Sequence, residues 1–310
     1  IMPGIRTIPS RRAHFGSAPT SFTGPLDIGG AAKVAYSVGR KLRAAYTGAV
    51  IRVRRSSDST EQDFYAGADG SVSVADVQTF CGAGDGLITT LYDQSGNGYD
   101  LTQATASRQP VVVLAGVPYT KNGKLAMYHT RLSATSVNRG STEAYFGYLH
   151  DSAKHSWHLV IDLGADAASK ILIGTRNASL DKSWQIQFTA SEIMQHIVEN
   201  GTSSVMNSSK TTAGVLTYNT HFATCDLSNG TVALRDEYYK DGTLSDQNNV
   251  LTNAPVSGTP TRPFIIGANS SGSTANAYLG YFCEFISWGS DMGASRAAIL
   301  ANSKSFWGTP

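Results

Sequence analysis

The chain has 310 residues with a net charge of +2, only 15% charged residues and 31 glycines, long enough for one large all-β domain or two smaller ones. No window approaches the length of a membrane-spanning helix, and IMPGIRTIPSRRAHF has no apolar core that could act as an export signal. Cys81, Cys225 and Cys283 are far apart and contain no CxxC, a spacing that predicts neither a disulfide framework nor a zinc site. Their apolar neighbours predict buried thiols, which suits assembly in a reducing cytosol.

The charge is uneven. Ile1 to Arg55 holds ten lysines and arginines against one acid, Asp27, a segment that could dock on an acidic partner or on nucleic acid, or form a solvated face with a tail. Residues 1–25 carry Pro3, Pro9, Pro19 and Pro25 with Arg6, Arg11 and Arg12 and lack apolar periodicity. They predict an extended arm that lies along a neighbouring subunit or is disordered when alone, with residues 26–310 as a single domain. In DIGGAAKVAYSVGRKLRAAYTG, the positions Val34, Val38, Leu42 and Ala45 recur at helical spacing. Lys33, Arg40, Lys41 and Arg43 fall on the other side, so a helix ending near Gly48 is predicted.

AVIRVRRSS alternates and predicts a strand whose wet-face Arg52 and Arg54 pair with Asp58, Glu61 or Asp63. DVQTFCGAGDG predicts a short helical turn, and LITTLYD predicts another strand. Asp93, Asn97 and Asp100 follow it in DQSGNGYD and offer oxygen ligands, but the spacing departs from the twelve-residue calcium loop and its closing Glu. Gly96 and Gly98 suit positive φ in consecutive turns, and Asp93 and Ser95 can bond the backbone. The cluster is read as a turn, and no cofactor is expected. From Lys121 onward, runs such as KLAMYHT, HSWHLVIDLG, SWQIQFTA, EIMQHIVE and RPFIIGAN are each bounded by turn formers. They predict an antiparallel sandwich closed by a short helix at SRAAILANSKSFWG. His155 and His158 are read as surface positions of a strand. No nucleophile elbow, P-loop or dinucleotide fingerprint is present.

Two signatures carry a resemblance. VALRDEYYKDG, followed by FIIGANSSGSTANAYLGYFCEFISWGSDMGASRAAIL, resembles concanavalin A-like (laminin G-like) jelly-roll domains. AYSVGRKLRAAYTGAVIRVRRSSDSTEQDF with FCGAGDGLITTLYDQSGNGYDLTQATASRQP resembles the catalytic domain of the fungal arabinofuranosidase B family, and also many tailed-phage virion proteins. The resemblance implies an all-β, antiparallel jelly-roll sandwich with few short helices. For the arabinofuranosidases it implies a carboxyl pair, one as nucleophile and one as acid/base. The matching positions are Gln185 in SWQIQF and Asn269 in IGANSSGS, and an amide serves neither role. It also implies a short disulfide, of which Cys81 remains while the partner position is Gly86. Glu284 matches a Glu of the pattern and is read as a structural carboxylate.

Taken together, these features lead to the expectation of a non-catalytic virion surface component of a tailed phage or phage-like particle. Such a protein would be made in the host cytoplasm without a signal peptide and held to other virion proteins by the arm. It would be a homo-oligomer, neither inserted in a membrane nor bound to specific nucleic acid. Its lectin-like face for host glycans would draw on Trp184, Gln185, Asn269, Ser271, Asn276 and Tyr278. The alternative is a glycoside hydrolase of arabinofuranosidase type acting on arabinose-containing polysaccharide. That reading requires acids such as Asp181, Glu192 or Asp226 to converge in one cleft.

Overall fold

Short runs rich in Val, Ile, Thr and aromatic residues, punctuated by Gly, Asn and Asp, favour pleated strands with tight turns over helices. The computed structural model describes residues 22–130, 135–163, 170–176, 181–189, 193–211, 217–246, 253–268 and 279–310. In chain order the elements are α1 (Pro25–Gly29), β1 (Val34–Ser37), β2 (Ala49–Arg55), β3 (Glu61–Tyr65), α2 (Val74–Cys81), β4 (Gly86–Leu91), β5 (Leu101–Thr102), β6 (Val111–Leu114), β7 (Val117–Pro118), β8 (Thr120–Lys121), β9 (Lys124–Leu125), β10 (Met127–His129), β11 (Val137–Asn138), β12 (His155–Asp162), β13 (Lys170–Gly174), β14 (Lys182–Phe188), β15 (Ile193–Asn200), β16 (Ser204–Thr211), β17 (Asn219–Cys225), β18 (Asp236–Lys240), β19 (Thr243–Asp246), β20 (Ile265–Ile266), β21 (Gly280–Trp288) and α3 (Arg296–Trp307). No helix among the described residues is long and apolar enough to cross a membrane.

The strands form a mostly antiparallel β-sandwich, as the strand-and-turn pattern predicts. In the first sheet β21 pairs with β1 and β10 along one edge and with β12 along the other, and β17, β18 and β19 follow. The second sheet runs β3, β2, β4, then β5 and β6 side by side, then β11, β20, β13, β14, β15 and β16. Tyr128 of β10 opposite Val111 of β6 joins the two. Val53, Ile88, Val113, Trp157, Ile173, Trp184, Ile186, Val198 and Phe285 belong to the apolar core between them. Helices α1 and α3 cover the first sheet's other face, where Leu26, Ile299 and Leu300 pack on Ala35, Phe222, Ile286 and Trp288.

Three expectations are corrected. The helix expected around Val34 to Ala45 is instead β1 followed by loop. All four residues of β1 are buried and pair with Glu284 to Ser287. A strand covered on both faces has no wet side, so its apolar residues need not alternate, and their helical spacing is coincidental. Arg40, expected on a solvated helix face, is only 1% exposed. His155 and His158, read as surface residues, are fully buried, one on each face of β12.

Other local readings hold. Arg52 forks onto Asp63 at 2.8 and 2.9 Å, and Arg55 onto Asp58 at 2.8 and 2.6 Å. Arg54 donates instead to Gln109. All three cysteines are buried and outside any disulfide. A Cβ built on Gly86 would lie 2.5 Å from Cys81 Sγ, so α2 and β4 already hold the two positions side by side. Gly86→Cys is expected to form this bridge under oxidising conditions. It should raise stability by about 2 kcal/mol, the chain-entropy value for so short a loop. Mass spectrometry and thermal melts with and without reductant test this, and a chain that stays fully reduced under oxidant would contradict it.

Buried imidazoles give the fold a pH dependence. Burial pushes His129 down to about 4, against a hydrogen bond with the Thr135 carbonyl that raises it. Burial, then Lys240 and His158, push His221 down to about 3. Unfolded, both titrate near 6.5. Below pH 6.5 the unfolded chain therefore binds more protons, and stability falls as pH drops until the folded values are reached. At up to ~1.4 kcal/mol per unit for each group, going from pH 6.5 to 5 removes about 3 kcal/mol. Urea unfolding across this range should show the slope, reduced in His129→Gln and His221→Gln. A profile flat from pH 7 to 5 would contradict it.

Candidate active site

DQSGNGYD is a turn. Asp93 Oδ1 accepts from the amides of Ala35 and Ser95, both at 3.0 Å, and Oδ2 from Ser95 Oγ at 2.7 Å and the Tyr99 amide at 3.1 Å. Asp100 Oδ1 caps the Asp93 amide at 2.8 Å. Asn97 donates to the carbonyls of Ala32 and Lys33. Gly96 and Gly98 have φ of 93° and 77°, as the turn chemistry predicts. These oxygens tie the loop to β1.

The second sheet's outer face is different. Directly opposed residues share a face, and one row runs Arg52, Thr90, Thr102, Asn138, Ile265, Gly174, Gln185 and Ile197. The alternate positions Val137, Ile173, Ile266, Trp184, Ile186 and Val198 enter the core. A cavity of about 270 Å³ opens on the polar row, lined by Gln103, Thr105, Arg108, Ser136, Asn138 and Ile265 among others. Gln103 is locked in place, donating to the Ser136 carbonyl at 2.9 Å and accepting from the Thr105 amide at 3.0 Å.

Beyond the cavity, Gln185 donates to Gln187 and Gln187 to Gln195. Gln185 Oε1 is buried with no hydrogen-bond partner among the described residues. One strand over, Glu199 takes a fork from Arg176, Nε at 2.8 Å and Nη2 at 3.0 Å, and Ser183 Oγ donates to it at 3.3 Å. Ser183 Oγ also lies 3.2 Å from the Asp181 carbonyl, and the Asp181 carboxylate is 3.6 Å from Arg262 Nε.

The expected site residues divide as follows. Gln185 lies on this polar face. Trp184 does not, because its neighbouring register position points into the core, against His196 and Phe285, on the opposite face of the sheet. Asn269, Ser271, Asn276 and Tyr278 lie outside the described residues, as do Glu192 and the arm's Arg6, Arg11 and Arg12. Asp226 is held at the end of β17 in the other sheet by Ser228 at 2.7 Å and Lys154 at 3.1 Å. The sequence reading missed Glu199. Its signal was the antiphase in IMQHIVEN, where Gln195, Ile197 and Glu199 alternate with the core residues Met194, His196 and Val198.

An antiparallel β-sandwich with a polar cavity on one sheet face defines the class. A family profile described as alpha-L-arabinofuranosidase B, catalytic, matches residues 27–299, and the chain belongs to this family. The alpha-L-arabinofuranosidase B of Aspergillus oryzae is 40% identical over 124 residues, covering 36% of this chain and 24% of that protein. A probable alpha-L-arabinofuranosidase B of Aspergillus clavatus is 29% identical over 288 residues, 85% of this chain and 52% of the relative. The chain thus spans about a quarter to a half of these relatives' length. Its fold is similar to that of a GH54 α-L-arabinofuranosidase soaked with a cyclic sulfate inhibitor, with TM-score 0.64, 18% identity, and coverage of 90% of this chain and 64% of that one. It is also similar to an arabinofuranosidase complexed with arabinofuranosyl-α-1,2-xylobiose, with TM-score 0.61 and the same identity and coverage.

These findings overturn the particle reading. The family is the specific arabinofuranosidase one, not the broad jelly-roll group with its virion members, and the relatives are fungal arabinofuranosidases. The expected virion function, virion-surface location and virion partners fall with it. Amides at the two matching positions do not remove the chemistry, because the carboxylate of Glu199 stands one strand from Gln185 on the same face.

Proposed function

We propose that the chain hydrolyses α-L-arabinofuranosides on the polar face of the second sheet, with residues 26–310 acting as one domain. The observation that carries this is Glu199, a buried carboxylate fixed by Arg176 and Ser183 beside Gln185, in a chain matching the family profile over 27–299. Glu199 is the nucleophile in this reading. Asp181, just before β14 and two residues before Ser183, with its carboxylate 3.6 Å from Arg262 Nε, is assigned the acid/base role. Gln185 Oε1, an acceptor with no described partner, takes a hydrogen bond from a sugar hydroxyl, since a buried acceptor gains most from a donor that arrives with the substrate. Arg52 and Asp63 lie at the far end of the row and act in folding, not chemistry.

The test is release of 4-nitrophenol from 4-nitrophenyl α-L-arabinofuranoside by the purified chain, with the α-arabinopyranoside and β-xylopyranoside as controls. Selective release of the furanoside's nitrophenol supports the reading. A folded chain that releases none from any substrate overturns it.

A further inference from the structure

The core between the sheets holds a cluster that the arabinofuranosidase reading does not use. His155 of β12 sits directly opposite Cys225 of β17, and Cys225 directly opposite Asp236 of β18. His196 of β15 reaches across from the second sheet, its Nδ1 3.0 Å from Asp236 Oδ1. One nitrogen of each imidazole and Cys225 Sγ all lie within 4.8 Å of one another. His155, His196, Cys225 and Asp236 are all buried. Nε2 of His196 and a ring nitrogen of His155, whose ring otherwise faces the Ala153 backbone, are buried with no hydrogen-bond partner among the described residues. A buried polar group is ordinarily paired, so one lone pair from each imidazole beside a thiol calls for an occupant that accepts lone pairs.

We propose that His155, His196 and Cys225 bind a zinc-class transition-metal ion that staples the two sheets together. Two imidazoles and a thiolate form a borderline-soft donor set suited to this ion, and Cys225 would lose its thiol proton on binding. Asp236 is the carboxylate that orients a ligating histidine. By accepting a hydrogen bond from the His196 Nδ1–H, it directs Nε2 to the metal. Zinc holds nitrogen at about 2.0–2.1 Å and sulfur at about 2.3 Å, so the three donors would need to close by about 1 Å. The site is enclosed, so loading accompanies folding.

The test refolds the whole chain with equimolar Zn²⁺, removes loose metal by gel filtration, and measures zinc content and the melting temperature. The expected result is one zinc per chain and a melting temperature higher than after refolding with chelator. Refolding with Co²⁺ should give a thiolate-to-cobalt charge-transfer band that is lost in Cys225→Ser and kept in Cys81→Ser. A folded wild-type chain that retains no stoichiometric zinc overturns the proposal. So does a charge-transfer band that persists in Cys225→Ser. Where Cys225→Ser fails to fold, the wild-type zinc content and melting shift decide. Hydrolysis of arabinofuranosides plays no part in these readouts.

Discussion

Arg40→Met is expected to cost about 3–5 kcal/mol of unfolding free energy at pH 7, the loss typical when one partner of a buried ion pair is removed. Arg40 Nε and Nη2 reach Glu284 at 2.6 and 2.7 Å, with neither side chain more than 1% exposed. Asn302 Oδ1 and Ser303 Oγ accept two further guanidinium protons at 2.8 and 2.9 Å. Trp307 Nε1 and Ser303 Oγ both donate to the Glu284 carboxylate, at 3.1 and 3.2 Å. The network therefore pins the loop after β1, the central strand β21 and α3 at one point.

Burial alone would raise the Glu284 carboxyl, yet Arg40, helped by His158, holds it well below the usual carboxylate range. In the wild type the pair's contribution is present above the unfolded carboxyl value and is lost as pH falls through the lower folded value. Without Arg40 the burial penalty is opposed only by His158 and the Trp307 and Ser303 donors, the carboxyl's folded value rises, and the variant recovers part of its deficit as the pH is lowered. Glu284→Gln strands the guanidinium instead and should cost a similar amount. The double variant Arg40→Met/Glu284→Leu should lose much less than the sum, because no uncompensated charge is left. Urea unfolding of the three variants at pH 7 measures this. Strict additivity would show that the pair is not a unit.

The sandwich was legible in the sequence because strands covered on one face alternate and turns announce themselves. AVIRVRRSS and LITTLYD gave β2 and β4, and Gly96 with Gly98 marked the turn between β4 and β5. What failed was anything buried on both sides. β1 lacks a wet face, so Val34, Val38 and Leu42 mimicked a helix, and Arg40 was placed in water when it is the buried cation of the central network. His155 and His158 misled for the same reason. A histidine in an apolar strand reads as amphipathic, and only the facing sheet and α3 reveal that both sides are closed. Gln185, named from the family resemblance, falls on the polar face, but position within a strand does not show what the adjoining strand places beside it. Glu199 became visible only once β14 and β15 were paired, because cross-strand register is a long-range property.

Glu199→Gln carries the sharpest consequence for chemistry. Glutamine matches the shape of glutamate and can still accept from Ser183 and from one arm of Arg176, so folding should survive. Its amide cannot form a glycosyl ester, and kcat on 4-nitrophenyl α-L-arabinofuranoside is expected to fall by about 10³-fold or more with KM little changed, the pattern of an interaction needed only in the transition state. Asp181→Asn should behave differently. An acid/base residue matters most when the leaving group needs a proton, so its loss should be mild with 4-nitrophenol and severe with an arabinosylated xylo-oligosaccharide. The two variants thus separate the roles by leaving-group dependence. If Glu199→Gln keeps a tenth or more of the wild-type kcat, the carboxylate serves Arg176 and the β14–β15 hairpin rather than the sugar. If Asp181→Asn slows both substrates equally, Asp181 positions Arg262 and is not the proton donor.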